Sequence, residues 1–160
     1  MSDHTYTLNP CPALFPQAAL AQRVPWPQQH ASAPLNPGMA MLAKAASSAH
    51  LPCVRLGFAL WYLPADQAQS LLRLALEAAQ LVLVADFKLA ERNLELPATV
   101  AAWGLMVLAK PRKTAAGGAT QTDFMQTGGI EGLVHLSKAL VHERRPIFAG
   151  AAALLHLQRA

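Results

Sequence analysis

Apolar and polar positions along this chain follow two periods, and each change of period marks an element. Residues 81–85, LVLVA, are a short, fully apolar run rich in Val and Leu. The run is too short for a helix and predicts a strand buried on both faces, as in a parallel sheet covered by helices. It ends in Asp86, and the polar groups Lys88, Glu91, Arg92 and Asn93 follow. Upstream, ADQAQSLLRLALEAA has the helical period. Ala68, Leu71, Leu72, Ala75, Leu76 and Ala79 line one face, and Asp66, Ser70, Arg73 and Glu77 line the other. Arg73 and Glu77 are spaced as an i,i+4 ion pair. Before this helix, CVRLGFALWYL begins as a strand over 54–58 and runs through Leu60, Trp61 and Tyr62 to a turn at Pro64. The result is a βαβ unit with parallel strands and a right-handed crossover. In open α/β sheets the chemistry sits just past the carboxyl ends of such strands. Asp86 and the polar run after it therefore mark the place of a site.

Downstream, Pro97 suits a first helical position. ATVAAWGLMVLAK continues as an apolar helix, expected to bury Val100, Trp103, Val107 and Leu108. KPRKTAAGGAT, 110–120, is a basic loop, and DFMQTGGIEGLVHLSKAL is a helix interrupted at Gly128-Gly129. Strand-like pieces at 140–148 and 151–157, with Gly150 between them, predict a terminal antiparallel hairpin on the edge of the parallel sheet.

Residues 1–37 hold seven of the twelve prolines. Proline removes a backbone donor and breaks helix and sheet alike. This segment is expected to be an irregular arm with a short helix at 17–23, anchored by Phe15 and Trp26. GMAMLAKAASSA, 38–49, has a helical face of Met39, Leu42, Ala43 and Ala46. The expected division is a proline-rich arm over 1–37 and an α/β domain over 38–160.

Composition changes this picture in one respect. The chain is 53% hydrophobic and 14% charged, against about 25% charged in a typical soluble domain. That implies either a very efficient core or surface meant for a partner. No apolar run reaches the roughly 18 residues of a membrane span. MSDHTYTLNPCP does not read as a signal peptide. Cys11 and Cys53 make neither a disulfide framework nor a zinc site, so a cytoplasmic protein is expected. The net charge of +4 comes from small clusters, Arg112-Lys113 and Arg144-Arg145, with none of the dense basic stripe that nucleic acid requires. His135 and His142 lack a carboxylate or Cys to complete a metal set, so no metal is expected. Gly128-Gly129-x-x-Gly132 follows a helical stretch and has no Lys-Ser/Thr after it, so it marks a helix break with close packing and not a phosphate loop.

Three pieces together resemble the C-terminal half of the class I S-adenosylmethionine-dependent methyltransferases. GFALWYLP at 57–64 resembles that family's fourth strand and the turn after it. LVLVADFKLAERNLELPA at 81–98 resembles the fifth strand and the acidic-basic-Asn segment that follows it in one bacterial subgroup. FMQTGGIEGLVHLSKAL and AGAAALLHLQ resemble the helical insert and the last antiparallel strand. The resemblance covers 51–160. It implies a partial doubly wound, Rossmann-like methyltransferase sheet with a C-terminal antiparallel hairpin. It places Leu60 and Trp61 beside the cofactor S-adenosylmethionine, and Asp86, Arg92 and Asn93 on the side of a small-molecule acceptor. For Asp86 the alternative is a carboxylate that caps nearby backbone or pairs with Lys88 or Arg92. For Trp61 and Tyr62 it is aromatic core and rim, and for Arg92 and Asn93 a self-bonded turn.

The chain departs from that family at the glycine-rich turn after the first strand, since its first glycine is Gly38. NPGMAMLAKA at 36–45 echoes the helix after the second strand, with Ala33 and Pro34 where the ribose-binding acid would stand. Two functions follow: a methyltransferase, truncated or inactive in this chain alone, or a non-catalytic partner subunit with half the fold. With the first strands absent, 54–58 would be an exposed apolar edge through which a homo-oligomer or a partner chain would form.

Overall fold

The computed structural model describes residues 5–8, 23–25, 32–35, 51–61, 63–91, 93–108 and 124–160. They form a six-stranded mixed sheet. In chain order the elements are β1 (Thr5–Leu8), β2 (Ser32–Leu35), β3 (Leu51–Gly57), α1 (Ala65–Ala78), β4 (Ala79–Phe87), α2 (Leu96–Leu108), α3 (Gly129–Leu136), β5 (Ala139–Ile147) and β6 (Ala152–Arg159). In space the strands run β2-β1-β3-β4-β6-β5. The first four are mutually parallel, and β6 is antiparallel to both β4 and β5. The βαβ unit and the terminal hairpin are those that the pattern predicts, and the whole is the partial doubly wound sheet that the resemblance implies.

β4 joins the βαβ unit to the hairpin, lying between β3 and β6. Its residues Val82 through Phe87 are buried without interruption, so both faces are covered. α1 buries Ala68, Leu71, Leu72, Ala75, Leu76 and Ala78, the face that its period assigns. Asp66, Ser70, Arg73 and Glu77 are exposed. Asp66 sits in the first turn, where the positive end of the helix dipole favours a carboxylate. The expected Arg73–Glu77 pair is not among the ion pairs of the described residues. Exposed pairs of this kind gain little, because holding two long side chains costs entropy.

Two expectations fail for reasons of long-range pairing. Residues 1–37 are not irregular throughout, because β1 and β2 lie within them. Strand 54–58 is not an apolar edge, because β1 pairs with it in the register Thr5↔Cys53 to Leu8↔Leu56. The edges are β2 and β5. Each carries a proline, Pro34 and Pro146, a residue confined to positions where no ladder donor is needed. A third expectation fails on α2, where Val100 is 64% exposed. This helix is apolar all round, so its sequence does not specify which face turns inward.

The helix at 38–49, the bulk of the one at 17–23, Phe15, Trp26, Tyr62, Arg92, Cys11 and the basic loop lie outside the described residues. So do the side chains of Trp103, Val107 and Leu108. Among the described residues no helix is long and apolar enough to cross a membrane.

The break before α3 is the close contact that the glycines predict. Gly128 and Gly129 have φ of 92° and 65°, the left-handed region where a Cβ is costly. A Cβ on Gly132 would fall on the carbonyl oxygen of Thr127. Gly132→Ala should therefore cost about 3 kcal/mol or slightly more by forcing the turn from the helix. Urea unfolding of the two chains checks this.

Candidate functional site

The chain runs outward from β1 to β2 and then returns to place β3 on the other side of β1. The strand order reverses between β1 and β3, and in open α/β sheets ligands bind outside the carboxyl ends of the strands at such a switch point. One wall of that crevice is the turn after Gly57, and the next strand end along is that of β4.

Asp86 joins these two strand ends. It is fully buried. Its Oδ2 accepts the backbone N–H of Leu60 at 2.8 Å and of Trp61 at 3.3 Å, and its Oδ1 accepts the N–H of Phe87 at 2.8 Å. The N–H of Phe58 also donates to the carbonyl of Ala85 at 2.7 Å. The turn after β3 is thus tied to the end of β4 through the N–H groups of Phe58, Leu60 and Trp61. It needs these bonds, because Phe58 holds a left-handed φ of 52°, a conformation disfavoured for a bulky side chain. Aromatic packing fills the space beneath. The Phe58 ring lies 5.0 Å from Phe87 and 5.8 Å from Phe148, and Trp61 meets Phe87 edge-on at 5.6 Å.

Complete burial pushes the Asp86 carboxyl up to about 7, against three N–H bonds that favour the ionised form.

A second polar network closes the loop after β4. Lys88 is 2% exposed, and its Nζ lies 2.9 Å from Glu95 and 3.9 Å from Glu91. Glu95 also accepts the N–H of Glu91 at 3.0 Å. Gly150 backs this pair, because a Cβ there would come within 2.6 Å of Cγ of Glu95. Arg144, reaching over from β5, pairs with both Glu91 and Glu131. Its hydrogen bond lowers the Glu91 carboxyl. Burial and a hydrogen bond to Glu91 raise the Glu131 carboxyl. Among the described residues no group of three His, Cys, Asp or Glu side chains could hold a metal ion.

The predicted residues divide as follows. Leu60, Trp61 and Asp86 come together, with Leu60 and Trp61 0% and 2% exposed. Asp86 caps backbone, and the partner of Lys88 is Glu95 instead. Asn93 is exposed and opens a short 3-10 turn, Asn93–Glu95. Arg92 lies outside the described residues. Sequence reasoning missed Glu95 as the partner of Lys88, and Arg144 as the link to β5. A lysine directly after a buried strand was the available signal, since a buried lysine requires a carboxylate.

The fold and this geometry define a Rossmann-like mixed sheet with a terminal antiparallel hairpin. Among solved structures the chain is similar to an O-methyltransferase family protein from Burkholderia thailandensis, with 21% identity and a TM-score of 0.51 over 81% of this chain and 36% of that one. It is also similar to a variant of LepI in complex with SAH and a substrate analogue, with 15% identity and a TM-score of 0.51 over 98% and 36%. The chain thus spans about a third of the length of these structures. No protein-family model matches the sequence, and no curated protein does.

Two outcomes test the geometry. A raised carboxyl pKa makes the folded state hold a proton that the unfolded chain, titrating near 3.9, has released. The stability from Asp86 is therefore full below about pH 4 and lost as pH rises through about 7, at up to roughly 1.4 kcal/mol per pH unit. Asp86→Asn should flatten that part of the pH profile in urea unfolding. It should also cost about 1–3 kcal/mol at pH 4, because the amide cannot accept all three N–H bonds.

Lys88→Met removes the buried cation that faces Glu95 and should cost about 3 kcal/mol. Adding Glu95→Gln should return part of that loss, because the amide oxygen still accepts the Glu91 N–H. A double-mutant cycle in urea measures the coupling.

Proposed function

We propose that this chain is an S-adenosylmethionine-dependent methyltransferase relative, and that its described residues form the acceptor side of the site. The observation that carries the reading is the switch point between β1 and β3, with its turn held to the end of β4 by Asp86. The strand order and the two solved structures named above support it.

The described residues do not by themselves fit the cofactor. Leu60 and Trp61 are buried, and their backbone N–H groups already bond to Asp86. Residues 9–22, which follow β1, contain no glycine, whereas close approach of backbone to a ligand favours one. No catalytic step is therefore derived through the cofactor. In this reading Asp86 is a positioning residue, and the loop carrying Glu91, Arg92 and Asn93 faces a small-molecule acceptor.

Isothermal titration of the whole chain with the demethylated cofactor SAH tests the proposal. Saturable heat is expected, with the affinity reduced in Asp86→Asn at a temperature where that variant stays folded. Absence of heat at millimolar ligand overturns the methyltransferase reading. It would leave a non-catalytic partner subunit.

A further inference from the structure

The opposite end of the sheet carries a second constellation. Asp86 and Phe87 pair with Ala153 and Ala152, whereas the far end of β6 brings Arg159 opposite Ala139 at the start of β5. There α1, the turn after α3 and the end of β6 close around a cavity of about 250 Å3. Its lining includes Arg73 and Glu77 from α1, Ser137 and Lys138 from the turn, and Arg159 from β6.

Three cations thus share one concavity with a single glutamate. Among the described residues none of the three is paired with a carboxylate, and Glu77 is paired with none of them. Surface cations with nearby carboxylates ordinarily pair or spread apart, because like charges repel. Lys138 is held in place by its backbone, since it sits at φ 52° and its N–H donates to the carbonyl of His135 at 3.1 Å. Ser137 belongs to the same lining, and its hydroxyl oxygen is buried without a hydrogen-bond partner. A buried polar atom left unsatisfied costs free energy and calls for a partner. The lining thus offers three cationic donors and one hydroxyl donor beside the single Glu77 carboxylate, and such donors are the set that recognises a tetrahedral oxyanion. The volume suits one small group.

We propose that this groove binds a phosphate group, free or carried by a small metabolite, at the end of the sheet remote from the switch-point crevice. The site does not depend on methyl transfer.

The test follows the melting temperature of the whole chain in inorganic phosphate at constant ionic strength, with chloride as the reference. A saturable rise is expected in phosphate alone, with backbone amide shifts in the NMR spectrum centred on Ser137 and Lys138. Lys138→Gln/Arg159→Gln should lose the rise while melting in chloride no lower than the parent, because it removes unpaired, exposed charge. Ser137→Ala should weaken phosphate binding by about tenfold through loss of one hydrogen bond to an anion. Equal responses to chloride and phosphate, or an undiminished rise in the double variant, would overturn the proposal. So would a lower melting point of that variant in chloride, which would make the cations structural.

Discussion

The carboxylate of Asp86 is the contact on which the carboxyl end of the sheet depends. Parallel strands end in loops, and a loop end has backbone donors that no ladder satisfies. At β3 those donors are the N–H groups of Leu60 and Trp61, both in fully buried surroundings where water cannot substitute. Asp86 supplies the acceptors from the neighbouring strand. One side chain thereby fixes the turn, its left-handed Phe58 and the aromatic cluster that packs beneath it. Complete burial makes the carboxyl reluctant to ionise, and three donors favour ionisation. The group is held between these effects, which is why its protonation couples to folding.

The network around Lys88 extends the same logic to the next loop. A lysine two residues after Asp86 is driven inward by its position at the end of a buried strand, where it forms a bridge to Gly129 and donates its N–H to the carbonyl of Ala151. Its charge then requires Glu95, and Glu95 requires the absence of a Cβ at Gly150. Arg144 continues the chain of contacts to the edge strand. The loop after β4 is therefore set by contacts from α3, the hairpin link and β5, elements far away in sequence.

That distance explains what was legible in the sequence. α1 was readable because its polar and apolar faces are separate, and β4 because its Val- and Leu-rich run has no helical length. The hairpin was readable from Gly150, whose φ of 88° needs a glycine. β1 and β2 were not readable, because such short strands take their identity from pairing partners distant in sequence, and Pro34 argues against a strand unless the strand lies on an edge. The tie between Asp86 and the turn was one of two open readings, and only the positions of Leu60 and Trp61 decide for capping. Glu95 was hidden because its partner is chosen by loop closure and not by spacing.

The apolar surplus seen in the composition also has a different location from the expected one. It does not lie along β3, which β1 covers. Among the described residues it lies in two places, at Leu136, Leu140 and Val141 around the start of β5, and after β4, where Leu89, Leu94, Leu96 and Val100 are exposed, Leu94 at 91%. Leu96 and Val100 are one helical turn apart, so they share a face of α2, and Gly104, the next position along that face, has open space where a Cβ would stand. A helix that is apolar all round normally has every side covered. α2 begins directly after the Glu95 that Lys88 holds. The same ion pair that closes the polar loop thus fixes where this uncovered face begins. The loop after β4 and the apolar surface are therefore joined through one short segment, Glu95 and the first turn of α2.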